Sequence, residues 1–199
     1  MKSVEVFLDQ IAATSLWEWL AVITGVIYVI LAARKSIWCW SFAAISSAIY
    51  IYLCYSGKLY IESILQVFYL IMAIVGWVMW NRSKTRTEDL IRWKLNLHLL
   101  NVVLSGMVAI SLGYMFDEYT NQANPYIDSF TTVYSLAATF MVTKKVVENW
   151  IYWIVIDIVS IYLYASRGFY LTSVLFFTFT VLAIVGYVTW LKKFNLQKA

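Results

Sequence analysis

Ala73-Ile74-Val75-Gly76-Trp77-Val78-Met79-Trp80 comes back later in the chain as Ala183-Ile184-Val185-Gly186-Tyr187-Val188-Thr189-Trp190, with six of eight letters unchanged. Upstream of each copy, Ile49-Tyr50-Ile51-Tyr52 returns as Ile161-Tyr162-Leu163-Tyr164, and Trp38 returns as Trp150. Both copies lie in apolar stretches long enough to cross a bilayer. A duplicated membrane unit is a common way to build a transporter, with the solute held between the copies.

The composition agrees with a membrane protein. The chain is 62% hydrophobic and 13% charged, where a soluble domain carries about 25% charged residues. Fifteen tyrosines and ten tryptophans suit membrane interfaces or an aromatic-lined cavity. The net charge of +4 comes from residues at loop positions, which excludes a nucleic-acid-binding face. Cys39 and Cys54 fall in one expected helix, about 22 Å apart by helical rise, and cannot pair. His98 is the sole histidine, and no Cys/His spacing suggests a metal site. Residues 4–16 contain Glu5, Asp9 and Gln10, so they lack the apolar core of a signal peptide. Val4, Phe7, Leu8 and Ile11 instead fall at helical spacing, as in an amphipathic helix lying on a membrane.

Seven crossings are expected, at about 17–33, 38–55, 60–80, 97–116, 128–143, 149–166 and 170–190. The fifth is the most polar, with Asp128, Ser129, Thr131, Thr132, Ser135 and Thr139, and calls for shielding by its neighbours. Twelve lysines and arginines fall on one side of this layout and three on the other, Lys2, Lys58 and Arg167. By the positive-inside rule the C-terminus is cytoplasmic and the N-terminus outside. The expected organisation is an amphipathic segment over 1–16, a first three-helix unit over 17–80, a basic loop and linker helix over 81–116, an outer loop over 117–127, a second three-helix unit over 128–190 and a cytoplasmic tail over 191–199. The fold class is thus an all-α membrane protein of seven transmembrane helices in a 3+1+3 parallel repeat. Arg34-Lys35 and Lys144-Lys145 mark the same end of the first helix in each unit.

Asp157 sits near the middle of the sixth span. A carboxylate at bilayer depth costs at least ~2.5 kcal/mol on insertion scales, so it must face the bundle interior or a wet cavity. Trp150, Trp153 and Asp157 share one helical face, which Ser160 and Tyr164 extend. Aromatic rings beside an acid suit a flat, cationic organic ligand. The competing roles are an interface anchor for Trp150, as for Trp38, Trp80 and Trp190, and plain packing for Trp153. On the third span Glu62, Gln66 and Tyr69 share a face, and the Gln66 amide offers both donors and an acceptor to a hydroxylated solute. Asn101 and His98 lie on the linker helix, outside both copies.

Laid over one another by their repeated letters, the copies set Asp157 against Ile45, Trp153 against Ser41, Gln66 against Phe176 and Glu62 against Thr172. The scaffold letters match and these polar ones do not, as expected of a two-fold frame around an asymmetric ligand. No phosphate-binding loop, arginine ladder or proton relay is present, which leaves facilitated diffusion as the economical reading.

Glu148-Asn149-Trp150-x-x-Trp153-x-x-x-Asp157, with Ser160-Ile161-Tyr162-Leu163-Tyr164 and the Gly168-x-Tyr170 turn behind it, resembles the PnuC family of nicotinamide riboside transporters. That family carries Trp-x-x-Trp-x-x-x-Asn/Asp on its sixth helix, and the likeness runs from about Leu16 to Phe194. The resemblance implies a fold related to full-length SWEET sugar transporters, with a different helix order in each bundle and here without proline hinges. It implies uniport of a vitamin precursor across the bacterial inner membrane, trapping by a cytosolic kinase, no cofactor and a homotrimer. Trp150 and Trp153 would then stack the pyridinium of nicotinamide riboside, and Asp157 would polarise the site or bind ribose hydroxyls. Gln66, Tyr69, Ser160 and Tyr164 would assist. Thiamine, also a cationic aromatic vitamin, fits the same residues. An intramembrane enzyme would need a nucleophile with a base or a metal site. A scaffold would need no paired repeat around a polar middle.

Overall fold

The computed structural model describes residues 2–57, 60–82, 90–120 and 124–198. Their helices are α1 (Lys2–Ala13), α2 (Leu16–Ala33), α3 (Cys39–Ser56), α4 (Tyr60–Arg82), α5 (Leu95–Tyr119), α6 (Pro125–Thr143), α7 (Asn149–Ser166) and α8 (Tyr170–Lys198). Among the described residues the only β-pairing is a single bridge between Ile91 and Val146. The chain is an all-helical membrane protein, and α2, α3, α4, α5, α7 and α8 are each long and apolar enough to cross a bilayer. α6, the expected fifth crossing, does not reach that apolarity. It buries Ser129, Ser135, Thr139 and Thr143 against its neighbours, and the last three hydroxyls bond back to its own carbonyls, as Thr139 does to Ser135 at 2.7 Å.

Helix contacts close a ring from α2 through α3, α4, α6, α7 and α8 back to α2. α5 stands outside it against α6, and α1 rests on α8. The amphipathic α1 is fastened by Gln10, whose Nε2 donates to the Gly168 carbonyl at 2.7 Å while its Oε1 accepts from the Leu171 amide at 3.0 Å. Gly168 makes that turn at φ +79, a backbone conformation that side chains disfavour. Arg167, beside it, grips Asp128 at the start of α6 at 2.8 Å. The expected loop over 117–127 is shorter than anticipated, because α5 runs on to Tyr119 and Pro125 opens α6. Proline fits the first helical position, where its missing N–H has no intrahelical partner to lose.

The two halves are matched most closely at the basic end. α2 and α6 each stop in the same capped turn. Lys35 and Lys145 adopt φ of 63 and 57, and their amides return to Ala32 and Val142 at 2.9 and 3.0 Å. The next amides, of Ser36 and Val146, return to Leu31 and Met141 at 2.9 and 3.0 Å. This double closure satisfies the carbonyls that a helix end leaves bare.

That turn corrects the overlay of the two copies. Counted from Lys35 and Lys145, Trp40, not Trp38, is the partner of Trp150, and the opposite ends of the helices agree, since Ser63 reaches the Ile51 carbonyl as Ser173 reaches that of Ile161. Asp157 therefore answers to Ser47 and Trp153 to Ala43, not to Ile45 and Ser41. The Ile-Tyr-x-Tyr letters had pulled α3 and α7 two residues out of register. Gln66 with Phe176 and Glu62 with Thr172 keep their pairing, although the Glu62 side chain lies outside the described residues.

Four indoles fill the basic end. Trp40 and Trp80 meet edge to face at 5.4 Å and 87°, Trp150 and Trp190 at 5.4 Å and 90°, and Trp80 lies 6.2 Å from Trp190. Contacts of this kind add roughly 0.5–1.5 kcal/mol beyond burial. Each inner indole lies on a glycine: a Cβ on Gly76 would sit 2.3 Å from Trp40, and one on Gly186 would sit 2.7 Å from Trp150. Each outer indole reaches across to the other half. Trp80 Nε1 donates to the Thr143 carbonyl at 3.2 Å, and Trp190 Nε1 to those of Ala32 and Ala33 at 3.0 and 3.1 Å. The expected interface-anchor role therefore fails for Trp80, Trp150 and Trp190, which are all buried, and fits only Trp38, which is 61% exposed. Lone rings at a helix end read as headgroup anchors until tertiary contacts turn them inward.

Candidate functional site

Above the indole layer, polar side chains gather about halfway along the helices. α7 delivers Asp157, which is 2% exposed, and Ser160, also buried, on the face it shares with Trp150. Among the described residues the Asp157 carboxylate has no cation or hydrogen-bond donor against it. A buried charge without a partner is costly, and it favours a cationic or hydroxylated visitor that supplies the missing contact.

α4 and α6 face each other at the same level. The Tyr69 and Ser135 hydroxyls lie 2.6 Å apart, and Ser135 also contacts the Thr132 carbonyl at 2.8 Å. Tyr69 is within electrostatic reach of Tyr164 on α7 and of Tyr28 on α2. Tyr164 stacks on Phe176 at 5.2 Å and 10°, which fixes its ring against α8.

The expected site residues thus divide. Asp157 and Ser160 are buried on α7, and Tyr69 pairs with Ser135 between α4 and α6, within electrostatic reach of Tyr164 near the far end of α7. Gln66 is half-buried one helical turn from Tyr69, and among the described residues its amide has no partner. Trp153 is partly buried and packs on the apolar core at the basic end. Trp150 lies below them inside the indole layer, and its Nε1 is buried without an acceptor, as is that of its counterpart Trp40. Ser135 was visible in the sequence only as one of several hydroxyls on a polar helix. Its link to Tyr69 joins positions far apart in the chain.

The linker side is asymmetric. Leu90–Trp93 lies along the α6–α7 turn, with the Ile91 amide on the Lys145 carbonyl at 3.1 Å and the Val147 amide on that of Ile91 at 2.9 Å. Glu148, at the start of α7, accepts from Arg92 and from the Trp93 amide. This hydrogen bond and the carboxylate charge raise the Arg92 guanidinium further above its usual pKa. His98 Nδ1 lies 3.1 Å from the Tyr152 hydroxyl, and one turn along α5 the Nδ2 of half-buried Asn101 is enclosed and unpaired. The equivalent of Glu148 in the first half is Trp38, which among the described residues holds no such strap. Among the described residues no cluster of His, Cys, Asp or Glu could ligate a metal.

Comparison with known proteins bears on the same arrangement. The sequence profile described as "Nicotinamide mononucleotide transporter" matches residues 15–192. The nicotinamide riboside transporter PnuC of Escherichia coli (strain K12) is 27% identical over 87% of this chain and 84% of its own length. The riboflavin/roseoflavin transporter RibM of Streptomyces davaonensis is 23% identical over 84% of this chain and 81% of its own. The crystal structure of the vitamin B3 transporter PnuC superposes with a TM-score of 0.75, covering 95% of this chain and 86% of that one at 23% identity, which is likeness of fold.

Proposed function

The chain belongs to the nicotinamide mononucleotide transporter family, a family of transporters rather than enzymes, and from that premise we propose that it carries nicotinamide riboside across the bacterial inner membrane. The observation that carries this reading is Asp157, an acid enclosed halfway through a ring of helices and lacking a partner among the described residues. The solute completes the site. Its cationic pyridinium lies beside the Asp157 carboxylate and the Trp153 ring. Its ribose hydroxyls find Tyr69, Ser160 and the Gln66 amide, Tyr164 bounds the pocket, and Trp150 forms the floor toward the indole layer.

In this reading α2–α4 and α6–α8 are the two units of a 3+1+3 parallel repeat with α5 as linker. The basic end faces the cytoplasm, with the C-terminus inside and the N-terminus outside. The indole layer then closes the inner mouth, and the bonds from Trp80 and Trp190 across the halves must release for the solute to enter the cell. Transport is uniport. Net accumulation comes from a cytosolic kinase, whose phosphorylated product carries negative charge and does not return past Asp157. Assembly as a homotrimer is part of the same proposal.

The name of RibM supplies a second reading, a flavin, and thiamine is a third. The lone acid favours the two cationic vitamins over an uncharged ring. The test is uptake of labelled nicotinamide riboside, thiamine and riboflavin into proteoliposomes. Equilibration of nicotinamide riboside without accumulation is the expected result. Uptake of none of the three would end the proposal, and a higher plateau under a proton or sodium gradient would end its uniport part.

A further inference from the structure

The ring of helices closes at two crossings between the halves, and they are built differently. α4 meets α6 at Tyr69 and Ser135. The equivalent residues where α8 meets α2 are Phe179 and Gly25, and a Cβ on Gly25 would lie 4.0 Å from the tip of the Phe179 ring. The same closure is thus made once by a hydroxyl pair and once by a ring tip over a glycine, where the neighbouring Ser46 hydroxyl on α3 is spent on the Ala21 carbonyl. Packing requires a ring against a small residue. The hydroxyl pair is additional, and it stands at the level of Asp157.

The protons of that pair can be assigned by counting. Ser135 has one hydroxyl proton and two oxygen neighbours, the Thr132 carbonyl at 2.8 Å and the Tyr69 hydroxyl at 2.6 Å. A carbonyl can only accept. If Ser135 donated to Tyr69, the carbonyl contact would go unused and the tyrosine proton would need another acceptor. With Ser135 donating to Thr132 and Tyr69 donating to Ser135, both protons and both short contacts are used. Back-donation of this kind is the habit of this helix, since Thr131, Thr139 and Thr143 all donate to carbonyls one turn earlier. The Tyr69 oxygen is then left with lone pairs alone.

We propose that Ser135 is a positioning residue for solute selection: its oxygen accepts the hydrogen bond of the Tyr69 hydroxyl, so that Tyr69 meets the solute solely as a hydrogen-bond acceptor. Resting on the transport reading above, this makes Tyr69 and Asp157 a pair of acceptors matched to a solute that brings hydroxyl donors and a positive charge. A solute group that can only accept finds no proton there. Without Ser135, the Tyr69 hydroxyl regains a free proton and loses that discrimination.

The test is concentration-dependent uptake of labelled nicotinamide riboside into proteoliposomes, with competition by analogues lacking one ribose hydroxyl. Ser135→Ala is expected to raise KM roughly threefold to tenfold, the scale of one hydrogen bond, and to leave the maximal rate within about twofold. It should also narrow the preference for the full riboside over at least one deoxy analogue. Ser135→Thr, which can donate to Thr132 as its threonine neighbours do, should restore KM. Tyr69→Phe should match Ser135→Ala, and the double variant should be no worse than either, because one residue acts through the other. The double variant nearly reproduces the Phe179–Gly25 crossing, so the other half of the molecule already shows that its packing closes. Unchanged KM in Ser135→Ala, additive effects in the double variant, or a fall in maximal rate that Thr does not rescue would each overturn the proposal while leaving the transport function standing. Wild-type protein that takes up no nicotinamide riboside would overturn both.

Discussion

The basic end of the bundle and its middle obey opposite rules. At the basic end the turns and the indole layer of one half have twins in the other: Lys35 and Lys145 in the turn, Trp40 and Trp150 on Gly76 and Gly186, Trp80 and Trp190 bonding across. In the middle the twins diverge. Asp157 answers to Ser47, Trp153 to Ala43, Gln66 to Phe176, Tyr69 to Phe179 and Ser135 to Gly25. Close packing poses the same steric problem to both halves and accepts the same solution. A solute with a charged ring at one end and a sugar at the other is not two-fold symmetric, and under the proposed function the divergent side chains are the ones that would meet it.

The largest effects belong to the symmetric layer. Gly76→Val and Gly186→Val would drive Cβ atoms to 2.3 and 2.7 Å from enclosed indoles. Overpacking of this severity costs ~3 kcal/mol or more. Both variants should fail to yield monodisperse protein on extraction and size-exclusion chromatography. If one is tolerated while the other collapses, the two corners are not mechanical equivalents.

The middle should answer the other way, with twins that behave differently. Asp157→Ala is expected to cut uptake tenfold or more, about 1.4 kcal/mol of lost solute interaction. The melting temperature should hold or rise, because a desolvated, unpartnered carboxylate has gone. Ser47→Ala, at the matching position, should leave uptake within about twofold. Equal losses from both would mean that the divergence in the middle is drift.

Much of this contrast was legible in the sequence, and the part that was not has a physical cause. The repeated word around Gly76 and Gly186 revealed the duplicated helices, because a glycine under an indole tolerates few substitutions. Asp157 stood out because charge is rare at that depth. The register of α3 against α7 was misread because Ile-Tyr-x-Tyr is set by its surroundings near the outer end, whereas the turn at Lys35 and Lys145 fixes where each helix starts. The Tyr69–Ser135 contact could not be read at all. It depends on which helices close the ring, and neither residue is unusual in its own span. α6 was flagged by its polarity, and the reason is now visible: it is the helix that both α4 and α5 lean on.

Glu148 tests an asymmetry at the basic end itself. It binds Arg92 and the Trp93 amide, whereas Trp38 stands in its place in the first half. Arg92 is half exposed, so the pair is partly screened by water. Glu148→Gln should lower stability by about 1 kcal/mol, read as a lower melting temperature in detergent. The deficit should shrink in high salt, which screens an ion pair and leaves a neutral hydrogen bond in place. A deficit independent of salt would recast the strap as packing.

The smallest effects return to the twins. Trp80→Phe and Trp190→Phe keep a ring in the indole layer and remove only the N–H that crosses to the other half. Each should cost about 1 kcal/mol, with Trp190→Phe slightly worse because its indole has two carbonyl acceptors where that of Trp80 has one. Melting curves alone could not separate a weaker latch from a weaker core, but the molecule carries its own probe. Cys39 is fully buried where α3 begins, beside the same cluster. In a Cys54→Ser background its alkylation by a small thiol reagent requires the basic end to part. If the two indole bonds hold that end shut, both variants should speed the reaction by similar factors, severalfold above the parent. If Cys39 reacts no faster in either, the indoles merely fill space, and the basic end closes by some other contact.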